Sequence, residues 1–213
     1  MDHTRHIGIF SAEGWQATII GAGGIGAITA LVLAKMGLDL TVVDDDTVDE
    51  VNLATQFHYR DMVGEAKTVA VRKLLYDMAD VSSVTIFDRV TEENAALFRA
   101  PIIISAVDSI NARKAIWAGL KDQQWMWYID ARMGAETFVR YVVDGNARLW
   151  YDEVLATHDE SLVPDLPCSS KATIYCASVA SGLLGHDVRK IITGETPPKM
   201  LALSLPDYTL FVP

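Results

Sequence analysis

The sequence is poor in cysteine. Its 213 residues include only Cys168 and Cys176, which is too few for a disulfide framework or for a zinc site built from paired CxxC motifs. A reducing compartment is the simplest setting for such a composition, and we expect a cytoplasmic protein.

Basic residues are also scarce. The 18 Lys and Arg residues are outnumbered by 28 Asp and Glu residues, which gives a formal net charge of −10. General nucleic-acid binding requires clustered Lys and Arg that displace counterions, so this class is excluded, although a local basic pocket for one nucleotide is not. The first six residues, MDHTRH, lack the charged and then apolar segments of a secretory signal.

One uncharged stretch, residues 14–34, is long enough to cross a bilayer. Four of its glycines lie together, with a strand-like run before them and a helix-like run after. A buried strand, turn and helix explain this pattern better than a membrane span, and we expect no membrane segment.

Strand and helix patterns alternate through the first 120 residues. Strands are predicted at Gln16–Ile20, Leu40–Val43, Val84–Phe87 and Ile102–Ala106, and helices at Gly23–Met36, Gly64–Met78, from an N-cap at Thr91 to Phe98, and at Ser109–Leu120. This alternation predicts an α/β fold with a Rossmann-like parallel sheet and helices on both faces.

The second half of the sequence has a different pattern of predicted elements. Strands are predicted at Trp127–Asp130, Glu136–Val143 and Ala147–Tyr151, a helix at Ala172–Leu184 and a final hairpin within Leu201–Val212. These strands predict an antiparallel meander that extends the sheet. No linker separates the halves, so we predict one domain over residues 1–213, with a nucleotide-binding half (1–120) and an antiparallel, partner-binding half (121–213).

A glycine turn follows the first predicted strand. In the pattern Gly21-x-Gly23-x-x-Gly26, Gly21 permits the tight turn, Gly23 lets backbone N–H groups approach a phosphate, and Gly26 lets the helix pack closely on the strand. The helix N-terminus adds unpaired donors and the positive end of a dipole. Asp44 closes the next strand near the spacing of a ribose-hydroxyl acceptor. These features predict a nucleotide site, and by themselves they also fit a nicotinamide-dependent oxidoreductase.

Four downstream segments narrow this prediction. Together with the glycine turn, they resemble the E1-like ThiF/MoeB/HesA family, which adenylates the C-terminal carboxylate of ubiquitin-like or sulfur-carrier proteins. The segments are Asp44-Asp45-Asp46-Thr47-Val48, Asn52-Leu53-Ala54-Thr55-Gln56, Gly64-Glu65-Ala66-Lys67 and Val107-Asp108-Ser109, with Arg113 at the family's usual interval after Asp108.

The resemblance implies an ATP site and a set of roles. Asp44 is expected to hold the ribose, Asp108 to bind Mg²⁺, and Lys67 to be the main cation at the triphosphate. The other expected nucleotide-binding residues are Gly21, Gly23, Gly24, Gly26, Asp46, Asn52 and Gln56. The implied partner is a ubiquitin-like or sulfur-carrier protein, or a peptide, with a free C-terminal carboxylate.

The family completes its sites across a homodimer with an arginine from the second subunit, and Arg5 is the candidate here. Cys168 lies in a loop near Lys171 and before a predicted helix, where its pKa could be depressed, and it is a candidate thioester nucleophile. Cys176 is expected in the core. The five histidines show no metal-binding spacing and receive no role.

The sequence departs from the family at Thr55, where an arginine is expected, and Arg60 on the same loop is a possible replacement. The loss of this charge supports an alternative, a catalytically silent E1-like scaffold. Each site residue also has a structural explanation: Asp44 and Asp108 as caps, Asp46 as a solvated loop residue, Lys67 and Arg5 as surface residues, and Cys168 as a loop residue without chemistry.

Overall fold

The sheet that carries the candidate site is formed largely as the sequence predicts. A computed structural model describes residues 6–81, 83–158 and 172–213. The strands of these residues are β1 (Gln16–Ile20), β2 (Asp39–Val43), β3 (Val84–Ile86), β4 (Ile102–Ser105), β5 (Trp127–Gly134), β6 (Thr137–Val143), β7 (Met200–Ser204) and β8 (Thr209–Phe211). The helices are α1 (Gly24–Met36), α2 (Lys67–Ala79), α3 (Ile110–Leu120), α4 (Arg148–Ala156) and α5 (Ile174–Ile192).

The strands lie in the spatial order β3-β2-β1-β4-β5-β6-β7-β8. The first five in this order are parallel, and β6, β7 and β8 continue antiparallel. The predicted fold class, a Rossmann-like sheet with an antiparallel C-terminal extension, is confirmed. The carboxyl ends of β1, β2 and β4 meet at one edge, the usual place of ligands in such sheets.

Two hydrophobic clusters cover the two faces of the sheet. Along β4, Ile102 and Ile104 pack with α1, α2 and α5, whereas Ile103 packs with α3 and α4. Each face of the strand is therefore buried, which explains why its sequence reads as a continuous apolar run. The described residues contain no helix that is long and apolar enough to cross a membrane.

Local signals placed several elements correctly. The predicted β1 is confirmed at Gln16–Ile20. Helix α1 ends at Met36 because Gly37 adopts a φ of 97°, in the left-handed region, and donates its N–H to the last turn. Two helix starts were wrong. Gly64, with a φ of 88°, and Glu65 form a turn bonded to Val48, so α2 begins at Lys67.

The second wrong start is Thr91. A 3-10 helix spans Ala95–Phe98, and the side chain of Asn94 accepts the N–H of Thr91 at 2.7 Å. The largest error concerns the predicted strand at Ala147–Tyr151, because this segment belongs to α4. The Asp144 carboxylate accepts the N–H of Asn146 and of Ala147, which turns the chain into a helix.

Candidate functional site

The glycine turn between β1 and α1 has no room for larger residues at two positions. Gly21 has a φ of 101°, and a Cβ there would lie 2.7 Å from the carbonyl oxygen of Ala106. A Cβ on Gly26 would lie 1.8 Å from the carbonyl oxygen of Gly21. The turn is therefore pressed against the loop after β4 and against its own helix, in agreement with the roles predicted for these two glycines.

Helix α1 begins directly after this turn, with Gly23 as N-cap. No side chain among the described residues caps this N-terminus. The N–H groups of the first helical turn lack intrahelical acceptors, and the helix dipole adds positive potential there. This end of α1 has the donors that a phosphate group requires.

Asp44 holds the turn from the side of β2. Its Oδ2 accepts the N–H of Ala22 at 2.6 Å, and its Oδ1 accepts the N–H of Asp46 at 2.8 Å. Burial raises the pKa of Asp44, whereas these two backbone bonds and the charge of Lys67 oppose the shift. The carboxyl group therefore fixes the loop after β2 against the glycine turn.

Lys67 is a buried cation at the start of α2. Its Nζ donates to Asp46 Oδ2 at 2.8 Å, and its backbone N–H donates to the carbonyl of Asp46 at 2.9 Å. The Lys67 side chain is 10% exposed, while that of Asp46 is 65% exposed. Lys67 and Asp46, two of the predicted site residues, are thus paired, and the Lys67 side chain is largely shielded from solvent.

The loop 50–59 lies on the same flank of the turn. Gln56 Nε2 would be 3.9 Å from a Cβ on Gly23, so this amide faces the glycine turn. Asn52 is engaged elsewhere, because its Oδ1 accepts the N–H of Asp49 at 2.9 Å within a capping box. The predicted contacts of Gln56 and Asn52 with a triphosphate stay predictions.

His58 belongs to this flank, although sequence reasoning gave it no role. Its Nε2 lies 3.1 Å from Gln56 Oε1. Burial, and next the charge of Lys67, lower its pKa to about 4, while the backbone of Ala22 opposes the shift. His58 is therefore neutral at pH 7 and lies beside the glycine turn. A search of the sequence for metal-binding spacing could not reveal this position.

Thr55 lies at the position where the family resemblance predicts an arginine. Its hydroxyl reaches only the carbonyl of Asn52, at 3.5 Å, and its own carbonyl faces Gly24. The described residues show no contact between Arg60, which is exposed, and the glycine turn. Arg60 as a replacement for the missing charge stays a prediction.

Asp108 follows β4 and is exposed at the same edge of the sheet. Arg89, on the loop after β3, donates to Asp45 Oδ2 at 2.6 Å, and the charges of Asp46 and Asp108 contribute to raising its pKa. The predicted carboxylates thus converge on one region. Among the described residues, no three His, Cys, Asp or Glu side chains approach closely enough to hold a metal by themselves.

A buried cluster lies on the other flank, and it was not predicted. We call Asp130, Arg113, Arg132 and Tyr151 the Asp130 cluster. Asp130 is fully buried and accepts hydrogen bonds from Arg113, from Arg132 Nε at 2.7 Å and from the Tyr151 hydroxyl at 2.6 Å. Arg113 also donates to the carbonyl of Val107, the residue before Asp108. The cluster therefore anchors the loop that carries Asp108.

Two predicted catalytic residues, Arg5 and Cys168, lie outside the described residues, as does Lys171. Cys176 lies fully buried in α5, where burial raises the pKa of its thiol. The prediction that Cys176 is a core residue is confirmed.

Known proteins resemble this chain in sequence and in fold. The model of the ThiF family matches residues 11–211. The probable adenylyltransferase/sulfurtransferase MoeZ of Mycobacterium tuberculosis is 31% identical over 188 residues, which cover 84% of this chain and 48% of MoeZ. Ubiquitin-like modifier-activating enzyme 5 of Drosophila ananassae is 30% identical over 126 residues, which cover 52% of this chain and 32% of that enzyme. The chain thus spans about half the length of MoeZ and a smaller share of the ubiquitin-like modifier-activating enzyme.

Solved structures share the fold at lower identity. PaaA superposes with a TM-score of 0.73 at 22% identity, covering 93% of this chain and 72% of PaaA. Escherichia coli MccB, crystallised with ATP, superposes with a TM-score of 0.70 at 18% identity, covering 94% of this chain and 64% of MccB. Since the family model spans nearly all of the sequence, the chain belongs to the ThiF family.

Proposed function

We propose that this protein is an ATP-dependent adenylyltransferase that activates the C-terminal carboxylate of a ubiquitin-like or sulfur-carrier protein, or of a peptide. The observation that carries the proposal is the uncapped N-terminus of α1, flanked by the buried cation Lys67 and the exposed carboxylate Asp108. This edge offers N–H donors and a fixed cation for a polyphosphate. It also offers a carboxylate for its counter-ion.

The reaction requires little beyond positioning and charge neutralisation. A carboxylate oxygen of the acyl substrate attacks the α-phosphorus of ATP, and the bond from that phosphorus to the bridging oxygen breaks. Pyrophosphate leaves with the bonding electron pair, and the product is an acyl-adenylate. The N–H groups at the start of α1 would donate to the phosphate oxygens, and Lys67 would neutralise charge on the triphosphate. Asp44 would fix the turn while its oxygens face the ribose.

The residues present fit a magnesium ion. Mg²⁺ is usually held by one or two carboxylates together with phosphate oxygens, and it neutralises the charge that builds on the leaving pyrophosphate. Asp108 would hold it, and Asp45 and Asp46 are further carboxylates whose charges act on Arg89 together with that of Asp108.

Relatives support this choice of substrates. MoeZ is a probable adenylyltransferase/sulfurtransferase, and MccB has been crystallised with ATP and with MccA. We therefore propose that this chain also binds ATP and a partner with a free C-terminal carboxylate. A homodimer, an arginine from the partner subunit and a thioester on Cys168 stay predictions, as does the single domain.

A second candidate is a silent scaffold that binds nucleotide without turnover. The observation that favours it is Thr55, whose side chain brings no charge to the glycine turn. Nicotinamide-dependent hydride transfer has no comparable support, because no feature of the site beyond the glycine turn and Asp44 favours it.

The test is ATP–pyrophosphate exchange with Mg²⁺ and a panel of small proteins and peptides that end in Gly-Gly. We expect exchange by the wild-type protein and a loss of about 10²-fold or more for Lys67→Ala and Asp108→Ala, because each removes charge that stabilises the transition state. Lys73→Ala, on the exposed face of α2, is the matched control and should retain activity. Calorimetric ATP binding without exchange on any carrier would favour the scaffold instead, and Thr55→Arg would then ask whether one charge restores turnover.

A further inference from the structure

The Asp130 cluster contains more positive than negative charge. Two guanidinium groups share the single carboxylate of Asp130. Arg113 is 4% exposed and has a second acceptor, the Val107 carbonyl. Arg132 pairs with Asp130 and also interacts with the Tyr151 hydroxyl, a neutral group, and its side chain is 15% exposed. The surplus charge is therefore at Arg132, which solvent or a ligand can reach.

The sheet register places Arg132 beyond the ends of its neighbours. Ile20, the last residue of β1, pairs with Ser105, the last residue of β4, and Ser105 pairs with Asp130. Strand β5 continues past this level to Gly134. Arg132 thus lies two residues past the edge above which the glycine turn opens.

The next residue shows how close this part of β5 is to the turn. Met133 Cε would lie 3.6 Å from a Cβ on Gly24, in the first turn of α1. Arg132 points to the opposite face of the strand, where its guanidinium carbon lies 4.8 Å from the Tyr141 ring centroid. The ring and Asp130 hold the guanidinium in one orientation, with part of its donor fork unused.

The two flanks of the turn therefore carry cations of different kinds. Lys67 and the Gln56 amide lie on the β2 flank, where the proposed nucleotide residues are gathered. Arg132 lies on the β5 flank, next to the anchored loop of Asp108. A carboxylate that attacks the α-phosphorus has to approach from a direction that the triphosphate does not occupy, and the β5 flank provides it.

We propose that Arg132 binds the free carboxylate of the acyl substrate and orients it toward the α-phosphate. The inference rests on the proposed function, because it names the residue that would recognise the second substrate. A guanidinium suits this task, since it carries a permanent charge and five N–H donors, of which Asp130 engages only some. Asp130 and Tyr141 position Arg132, and Arg113 links the same cluster to Asp108.

The test compares two fluorescent peptides that differ in one group. One peptide ends in Gly-Gly with a free carboxylate, and the other is its C-terminal amide. Fluorescence anisotropy is measured with the full chain in the presence of Mg²⁺ and AMPCPP. We expect the wild-type protein to bind the acid about tenfold more tightly than the amide, the scale of one charge-assisted pair.

Variants assign that preference to a residue. Arg132→Gln should lose the preference for the acid while its affinity for Mg·AMPCPP is unchanged. Arg132→Lys should keep part of the preference, because it retains the charge but not the fork, and it provides the test if Arg132→Gln does not fold. Arg189→Gln, a distant arginine of α5 that pairs with Glu195, should behave as the wild type.

Several results would overturn the inference. They are equal binding of acid and amide by the wild-type protein, binding of neither at millimolar concentration, an undiminished preference in Arg132→Gln, or a loss of nucleotide affinity in that variant as large as the loss of peptide affinity. Peptide binding is measured without turnover. A failure of pyrophosphate exchange would therefore count against the proposed function. An acid preference that is absent in the wild-type protein, or that persists in Arg132→Gln, would count against Arg132.

Discussion

Asp44 and Asp130 lie at the same edge of the sheet, and the protein holds their carboxylates in different ways. Asp44 accepts two neutral backbone N–H groups from residues of its own flank. Asp130 accepts from two guanidinium groups and a phenol, all contributed by side chains. One carboxylate fixes a turn, and the other neutralises the buried Arg113 and the partly exposed Arg132. Their substitution should therefore have different costs.

The largest loss of unfolding free energy is expected from substitution of Asp130. Replacing it by Asn leaves Arg113 without its counter-ion at a site that is 4% exposed, and breaking a buried pair in this way costs about 3–5 kcal/mol of unfolding free energy. Tyr151→Phe removes one hydrogen bond and leaves both ion pairs, so it should cost about 1–2 kcal/mol. Urea unfolding at pH 7 measures both.

Asp77→Asn is the control for this change of residue type, because Asp77 is a partly exposed partner of Lys73 on the surface of α2. It should alter stability much less than either variant of the cluster. If Asp130→Asn were no more destabilising than Asp77→Asn, the contrast between the two edge carboxylates would be wrong.

A smaller effect is expected for Asp44→Asn, about 2 kcal/mol. The amide keeps one acceptor but turns an NH₂ group toward a backbone N–H, which leaves that donor unpaired. Because burial already raises the pKa of Asp44, the fold tolerates a neutral group there better than it does beside two arginines. Parallel urea titrations of the two Asn variants give the difference directly, and equal costs would contradict it.

The smallest effect concerns the pH dependence that His58 gives to the Asp44 flank. Its pKa is about 4 in the folded protein and 6.5 ordinarily, so between these values the unfolded chain binds a proton that the folded chain does not. Stability therefore falls as the pH decreases through this window. Since His58 is partly exposed, we expect a loss of about 1 kcal/mol from pH 7 to pH 5.

His58→Leu should remove that loss, so that the difference in unfolding free energy between pH 7 and pH 5 shrinks by the same amount. Urea unfolding at the two pH values measures it. An unchanged pH dependence in the variant would show that His58 is protonated equally in the folded and unfolded chains.

The contrast between the two carboxylates also explains what the sequence could reveal. The glycine turn, Asp44 and the strand ends around them depend on local patterns, and the sequence predicted them together with the fold class. The role of Asp130 depends on partners brought by β5, α3 and α4. Part of α4 was predicted as a strand, a conformation that Trp150 and Tyr151 favour. The buried face formed by Tyr151 and Leu155 makes this segment a helix. The helical conformation of this segment is therefore set by tertiary contacts.

His58 was missed for a related reason. Its local sequence carries no signal for its burial, which depends on the distance between the loop 50–59 and Lys67 across the fold. By contrast, Arg113 was noticed for its interval from Asp108, but its bond to Asp130 depends on which strand lies next to β4.

Strand β5 has a consequence for the order in which the protein folds. On one side it pairs with β6 across the two residues Ala135 and Glu136, a closure that requires little chain entropy. On the other side it pairs with β4, whose partner β1 lies far back in the sequence. Contacts of long sequence separation form slowly, so we expect the β5–β6 hairpin to precede the parallel pairs. Pulse-labelled hydrogen exchange should then show early protection of the hairpin amides, and the flank that carries Arg132 would be built before the glycine turn it faces.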